Sequence, residues 1–190
     1  MTVNGRGLFA GRPPRTAHAS QRARAAVRET LSHDVNGCLL EVTIVWIEVV
    51  VSACPEAELA PPVNAEAISD IERRLGDSVP ADLRALLFET DGVLGEYALD
   101  VVWTAKRIAE DNARFRADAS FAELYQPFDG LLFFGDNGGG DQFAFVVDDP
   151  RAGVVVWEHE TDCRRKVADG LADYLRQILS SDGDEWYDQR

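Results

Sequence analysis

Apolar positions along this chain fall into short runs of differing period, and those periods set the expected elements. From Ala65 to Leu75, Ile68, Ile71 and Leu75 recur at three- and four-residue steps, the stripe of an amphipathic helix. Asn64 stands where a side-chain cap belongs, and Gly76 where a left-handed C-terminal residue belongs. Val79-Pro80 opens a second helix over Ala81 to Glu89, with Leu83, Leu86 and Leu87 as its inward face. Asp91-Gly92 turns the chain. Tyr97 to Trp103 alternates as a strand does, and Thr104 to about Arg116 returns to helical spacing, with Ile108 and Phe115 on one side. Phe121 to Phe128 is aromatic-rich and reads as a loop or short helix broken at Pro127.

The most informative stretch is LLFFGDNGGGDQFAFVVD, Leu131 to Asp148. Two apolar runs flank a Gly-rich connection, the pattern of paired strands joined by a tight turn. A turn at Asp148-Asp149-Pro150 and a third strand, Gly153 to Trp157, follow. Leu171, Tyr174, Leu175 and Ile178 mark a closing helix. Helices first, then adjacent antiparallel strands, then a helix predict an α+β fold. Val42 to Val51 is open: its β-branched residues favour a strand, while Val42, Val45, Trp46 and Val49 share a helical face.

Charge divides the chain unevenly. Residues 1–37 carry six Arg against Glu29 and Asp34, a net of +4, and show no apolar period; they read as a basic, unstructured arm. An Arg-rich arm could clasp an anionic partner, or could be translated upstream sequence ahead of a start near Val42. The remainder has thirteen basic and thirty-one acidic residues, a net of −18. Such a body repels nucleic acid and anionic membranes and suits a basic partner, although acidity also serves solubility alone. The domain is expected over 38–181, with 182–190 as an acidic tail. Cys38, Cys54 and Cys163 form no CxxC pair, which argues against a disulfide framework or structural zinc and fits a reducing cytoplasm. Residues 38–54 are apolar but short, and carry Glu41 and Glu48, so they predict no membrane span.

Two clusters invite a chemical reading. The turn GDNGGGD lacks the Lys that a phosphate loop places after its last Gly, and a strand follows it where a dinucleotide fingerprint needs a helix. Counted as a calcium loop from Asp136, its twelfth position is Val147 instead of an acid. In WEHETDC, Trp157 to Cys163, the second His of a zincin HExxH is replaced by Cys163 and no third ligand is evident. Cys163 with His159 could form a nucleophile pair helped by Arg164 and Arg165, but a strand-end His held by a carboxylate is the simpler account. Trp46, Trp103, Trp157 and Trp186 suit packing better than base stacking on so acidic a body. No catalytic, metal or cofactor set emerges.

Four segments, taken together, resemble the SUKH superfamily, which joins yeast cell-wall-assembly regulators of the Smi/Knr type to bacterial immunity proteins. They are IxxIERRLGDSVPADLRALLFETDGV (Ile68–Val93), YQPFDGLLFFGDNGGGDQFAF (Tyr125–Phe145), VWEHETD (Val156–Asp162) and LADYLRQIL (Leu171–Leu179). The likeness covers roughly residues 42–180; the arm and Val79, where Leu is usual before the Pro, depart from it. It implies helices flanking a mostly antiparallel sheet. It also implies a cytoplasmic, non-enzymatic immunity-type protein that blocks a toxin domain, such as a basic nuclease, by occlusion. The alternative is a regulatory scaffold for an endogenous protein; a metal-binding or enzymatic role at His159, Cys163 and the acidic turn ranks below both. The expected partner-binding face comprises Asp136, Asn137 and Asp141 in the turn, with Trp157, His159 and Glu160 nearby.

Overall fold

A computed structural model describes residues 44–181 and 186–187. The arm at 1–37, and the question of a start near Val42, lie outside the described residues. The ambiguous apolar run resolves as a helix, α1 (Trp46–Ala53). Its four-residue step puts Trp46 and Val50 in the core, against α3 (Ala81–Glu89) and α6 (Leu171–Leu179). The Glu89 carboxylate accepts the Ile47 N–H at 3.0 Å, satisfying one of the free amides at the N-terminus of α1.

α2 (Ala65–Leu75) forms as its stripe predicts: the Asn64 side chain accepts the Ala67 N–H at 3.0 Å, and Gly76 closes the helix at φ 76°. α4 (Ala105–Ala117) starts at Thr104, whose hydroxyl accepts the Arg107 N–H at 3.3 Å. Asp118 ends α4 and caps α5 (Ala119–Leu124), accepting the Ser120 N–H at 2.9 Å.

Among the described residues, seven strands pair antiparallel throughout, in two sheets. The smaller has the order β1-β2-β3, from β1 (Glu58–Leu59), β2 (Val93–Leu94) and β3 (Asp100–Val102). Strands of two residues are too short for alternation to register: β1 falls within the Pro-rich connector between Cys54 and Asn64, and β2 directly follows the Asp91-Gly92 turn. β3 is shorter than the strand expected over Tyr97–Trp103. Glu96–Ala98 form one 3-10 turn, with Tyr97 and Ala98 at φ 56° and 58°.

The larger sheet has the order β4-β5-β6-β7: β4 (Leu131–Asp136), β5 (Gln142–Val146), β6 (Val154–Glu158) and β7 (Cys163–Ala168). β7 was not expected. Its sequence, CRRKVA, buries only Val167 and Ala168 and so carries almost no hydrophobic signal. The register of β4 on β5 slips between Phe133 and Gly135.

That slip forms a seam between the sheets. The Trp103 N–H donates to the Phe134 carbonyl at 2.7 Å, linking the end of β3 to β4. Gly135 passes so close to β3 that a Cβ there would overlap the Val101 carbonyl oxygen and come within 2.9 Å of the Tyr174 hydroxyl. That hydroxyl donates to the same carbonyl at 2.8 Å, and burial pushes its pKa well above the usual tyrosine range. On the helix side, Asn112 of α4 donates to the Phe133 carbonyl and accepts the Phe133 N–H, both at 2.8 Å. Phe115, Phe121, Phe128, Phe133 and Trp157 pack as a run of mostly edge-on and tilted rings against this joint. No helix among the described residues is long and apolar enough to cross a membrane.

Candidate functional site

β4 delivers Asp136 to the start of the Gly-rich turn, and there the carboxylate is fully engaged. One oxygen accepts the Trp103 indole N–H and an Arg107 guanidinium N–H, each at 2.8 Å; the other accepts the Gly138 N–H at 2.9 Å. Arg107 also binds Asp111 at 3.1 Å and Asp100, and its guanidinium lies 4.2 Å from the Trp103 ring centroid. Burial works to lower the guanidinium pKa, but Asp111, Asp136 and Asp100 outweigh it and hold the group above its ordinary value. Arg107 is therefore a permanent cation sharing three carboxylates, a rigid brace for the turn.

Beyond Asp136 the turn is tied by its own side chains. The Asn137 carbonyl oxygen accepts the Gly139 N–H at 2.8 Å and the Asp141 N–H at 3.0 Å. Its amide donates to the Tyr187 hydroxyl at 2.6 Å, and that hydroxyl donates to Asp141 at 3.0 Å. The second Asp141 oxygen receives the His159 backbone N–H at 3.1 Å and pairs with His159 Nδ1 at 2.8 Å. The His159 ring covers Gly140: a Cβ at that position, φ 118°, would stand 2.6 Å from the ring. Glycine is required there for space and for backbone conformation alike.

The expected face is thus assembled in part. Asp136, Asn137, Asp141 and His159 form one connected network, and Glu160 is exposed in the adjoining β6–β7 turn. Trp157 belongs elsewhere: it is 2% exposed, packs on Tyr125 and Phe128 at 4.9 Å, and donates its indole N–H to Asp162 at 2.8 Å. Burial tends to raise the pKa of Asp162, but the Gln126 N–H, the Trp157 indole and Arg164 prevail and hold it below the carboxylate range.

Cys163 pairs with Glu158 across the β6–β7 ladder and is exposed. Among the described residues, no three His, Cys, Asp or Glu side chains are gathered as a metal would need. The His159–Asp141 pair matches the strand-end His held by a carboxylate.

Sequence reading missed Trp103, Arg107 and Tyr187. Only one part of this carried a signal: Arg107 and Asp111 stand four apart on α4, the spacing of a helical ion pair, whereas Asp100 lies in β3 and Trp103 ahead of the helix. Tyr187 carried less, one aromatic pair within an acidic stretch, yet it is buried.

Beside this network lies a cleft of about 420 Å³, between the Glu96–Ala98 turn and the end of α6. Tyr97 stands over it, 91% exposed. Two successive side chains in the left-handed region cost roughly 1–2 kcal/mol each, a strain the surrounding bonds must hold. Those bonds are Gly95 N–H to the Leu99 carbonyl at 2.9 Å and Leu99 N–H to the Glu96 carbonyl at 3.1 Å.

No curated protein matches the chain. A family model, described as the SMI1 / KNR4 family (SUKH-1), matches residues 62–177, from the connector ahead of α2 into the last helix. That span is more than half of the chain and contains α2 to β7 together with the braced turn, and the chain belongs to this family.

Proposed function

We propose that this is a non-enzymatic, immunity-type protein that captures a toxin domain through its acidic surface and neutralises it by occlusion. The observation that carries the reading is the state of the hairpin end. The Asp136, Asn137, Asp141 and His159 side chains are each committed to a partner in one fixed network. A surface already locked in shape loses little freedom on binding, which favours tight association. Family membership agrees, since immunity and regulatory proteins populate this family. The net charge of −18 beyond residue 37 adds long-range attraction for a basic partner and accelerates its capture. The exposed parts of the face, Gly138 to Gly140 and Glu160, would meet the toxin; Asp136, Asn137, Asp141 and His159 hold them in place.

Co-expression tests this directly. Cells producing toxin domains encoded beside this gene should survive when the full chain is present, and purified toxin should form a stoichiometric complex whose association slows as salt rises. Survival unchanged across all such toxins would refute the proposal. A stable complex with an endogenous protein instead would favour the regulatory scaffold.

A further inference from the structure

The cleft beneath Tyr97 has the chemistry of a receptor for one long cationic side chain. Leu99, Val101, Ile178 and Leu179 supply apolar walls. Glu96, Asp100 and Asp136 supply carboxylates, offset by the single guanidinium of Arg107, which Asp111 also shares. The mouth therefore keeps a negative balance. Over it stands Tyr97, the most exposed large hydrophobic side chain among the described residues. The 3-10 turn holds it out at φ 56°.

An apolar wall, an anionic rim and an open aromatic face match an arginine side chain: methylenes on the leucines, guanidinium against the ring and Glu96. The volume is near the lower end of the roughly 300–1,000 Å³ that ligand clefts span, which suits one side chain better than a whole folded segment. We infer that the Tyr97 cleft is the anchor pocket for an arginine presented by a loop of the basic partner protein. The inference rests on the proposed function for the partner's nature, but the pocket's chemistry can be tested without it.

The first arm uses the full chain, labelled with ¹⁵N, and two hexapeptides of alternating glycine with either arginine or citrulline. The arginine peptide should shift the amides of residues 95–101, 137–138 and 179, and citrulline should not. Tyr97→Ala should abolish those shifts without disturbing the remaining spectrum. Shifts spread over the acidic surface, or equal for both peptides, would overturn the inference. In the second arm, Tyr97→Ala and Glu96→Gln are compared for binding to the toxin that the survival test identifies. Tyr97→Ala should weaken it about 30-fold, as truncation of an aromatic anchor does. Neutralisation with unchanged affinity would overturn the pocket's role and leave the immunity reading standing. Arginine-specific shifts at the cleft with no toxin neutralised would do the reverse. Dimerisation of the chain abolished by Tyr97→Ala would assign the pocket to a second copy and overturn the inference as stated.

Discussion

Replacing Asn112 with Leu should cost far more than its small change in volume suggests. Asn112 is 1% exposed and makes three bonds of 2.8 Å: to the Ile108 carbonyl, the Phe133 carbonyl and the Phe133 N–H. The Ile108 carbonyl keeps its helical partner when the amide is lost. Phe133, itself fully buried, is left with a donor and an acceptor facing hydrocarbon. Each orphaned group costs about 1–3 kcal/mol, so the pair amounts to about 4 kcal/mol. That is a large part of the ~5–15 kcal/mol that holds a typical domain together. Urea unfolding followed by tryptophan fluorescence would read it as a lower midpoint at unchanged m-value, and Tm should fall by about 8–16 °C. Asn112→Asp should be no better near neutral pH, where a carboxylate would oppose the Phe133 carbonyl. It should recover partly in acid, because the protonated form can donate. A loss below about 1 kcal/mol for Asn112→Leu, at constant m-value, would refute the reasoning by showing that water reaches Phe133.

Gly135→Ala should destabilise by at least about 3 kcal/mol or yield insoluble protein, because the new methyl overlaps the Val101 carbonyl; soluble expression and thermal melting check this. Tyr187→Phe removes the hydroxyl that joins Asn137 to Asp141 and should cost about 1–2 kcal/mol, with faster proteolysis near the C-terminus than in the parent chain. Asp162 has a folded pKa below its unfolded one, so its stabilisation is complete above about pH 4 and is lost as pH falls through the folded value. Asp162→Asn should therefore flatten the stability profile below about pH 4, measured by urea midpoints, while lowering stability at pH 7.

Long amphipathic elements were legible because their stripes are many residues deep: α2, α3, α4 and α6 follow from the leucines, isoleucines and aromatics that they bury. The β4–β5 hairpin was legible for a similar reason, two apolar runs around glycines. Where a strand has two residues, as in β1 and β2, no period exists to read. β7 escaped notice because Arg164, Arg165 and Lys166 spend their length on surface partners while the backbone completes the ladder. α1 was undecidable locally; its outcome depends on α3 and α6, which lie far along the chain. In the site, the acidic turn and His159 were visible as chemistry, and the bond between Asp141 and His159 follows from the pairing of β5 with β6. Trp157 was assigned to the same face by proximity in sequence, but the alternation of strand side chains sends it among the phenylalanines. Arg107 lay hidden as one charge on a charged helix until the fold brought three carboxylates to it.

The seam at Phe134 and Gly135 has a consequence for how the molecule comes apart. A ribbon of two-, two- and three-residue strands has too few ladder bonds to persist unaided. It is held through the Trp103 amide and the Val101 carbonyl, both anchored on the larger sheet or the last helix. Because each of these bonds ties the ribbon to a neighbour, its central amides are expected to exchange together with those of the larger sheet, which native-state hydrogen exchange would read.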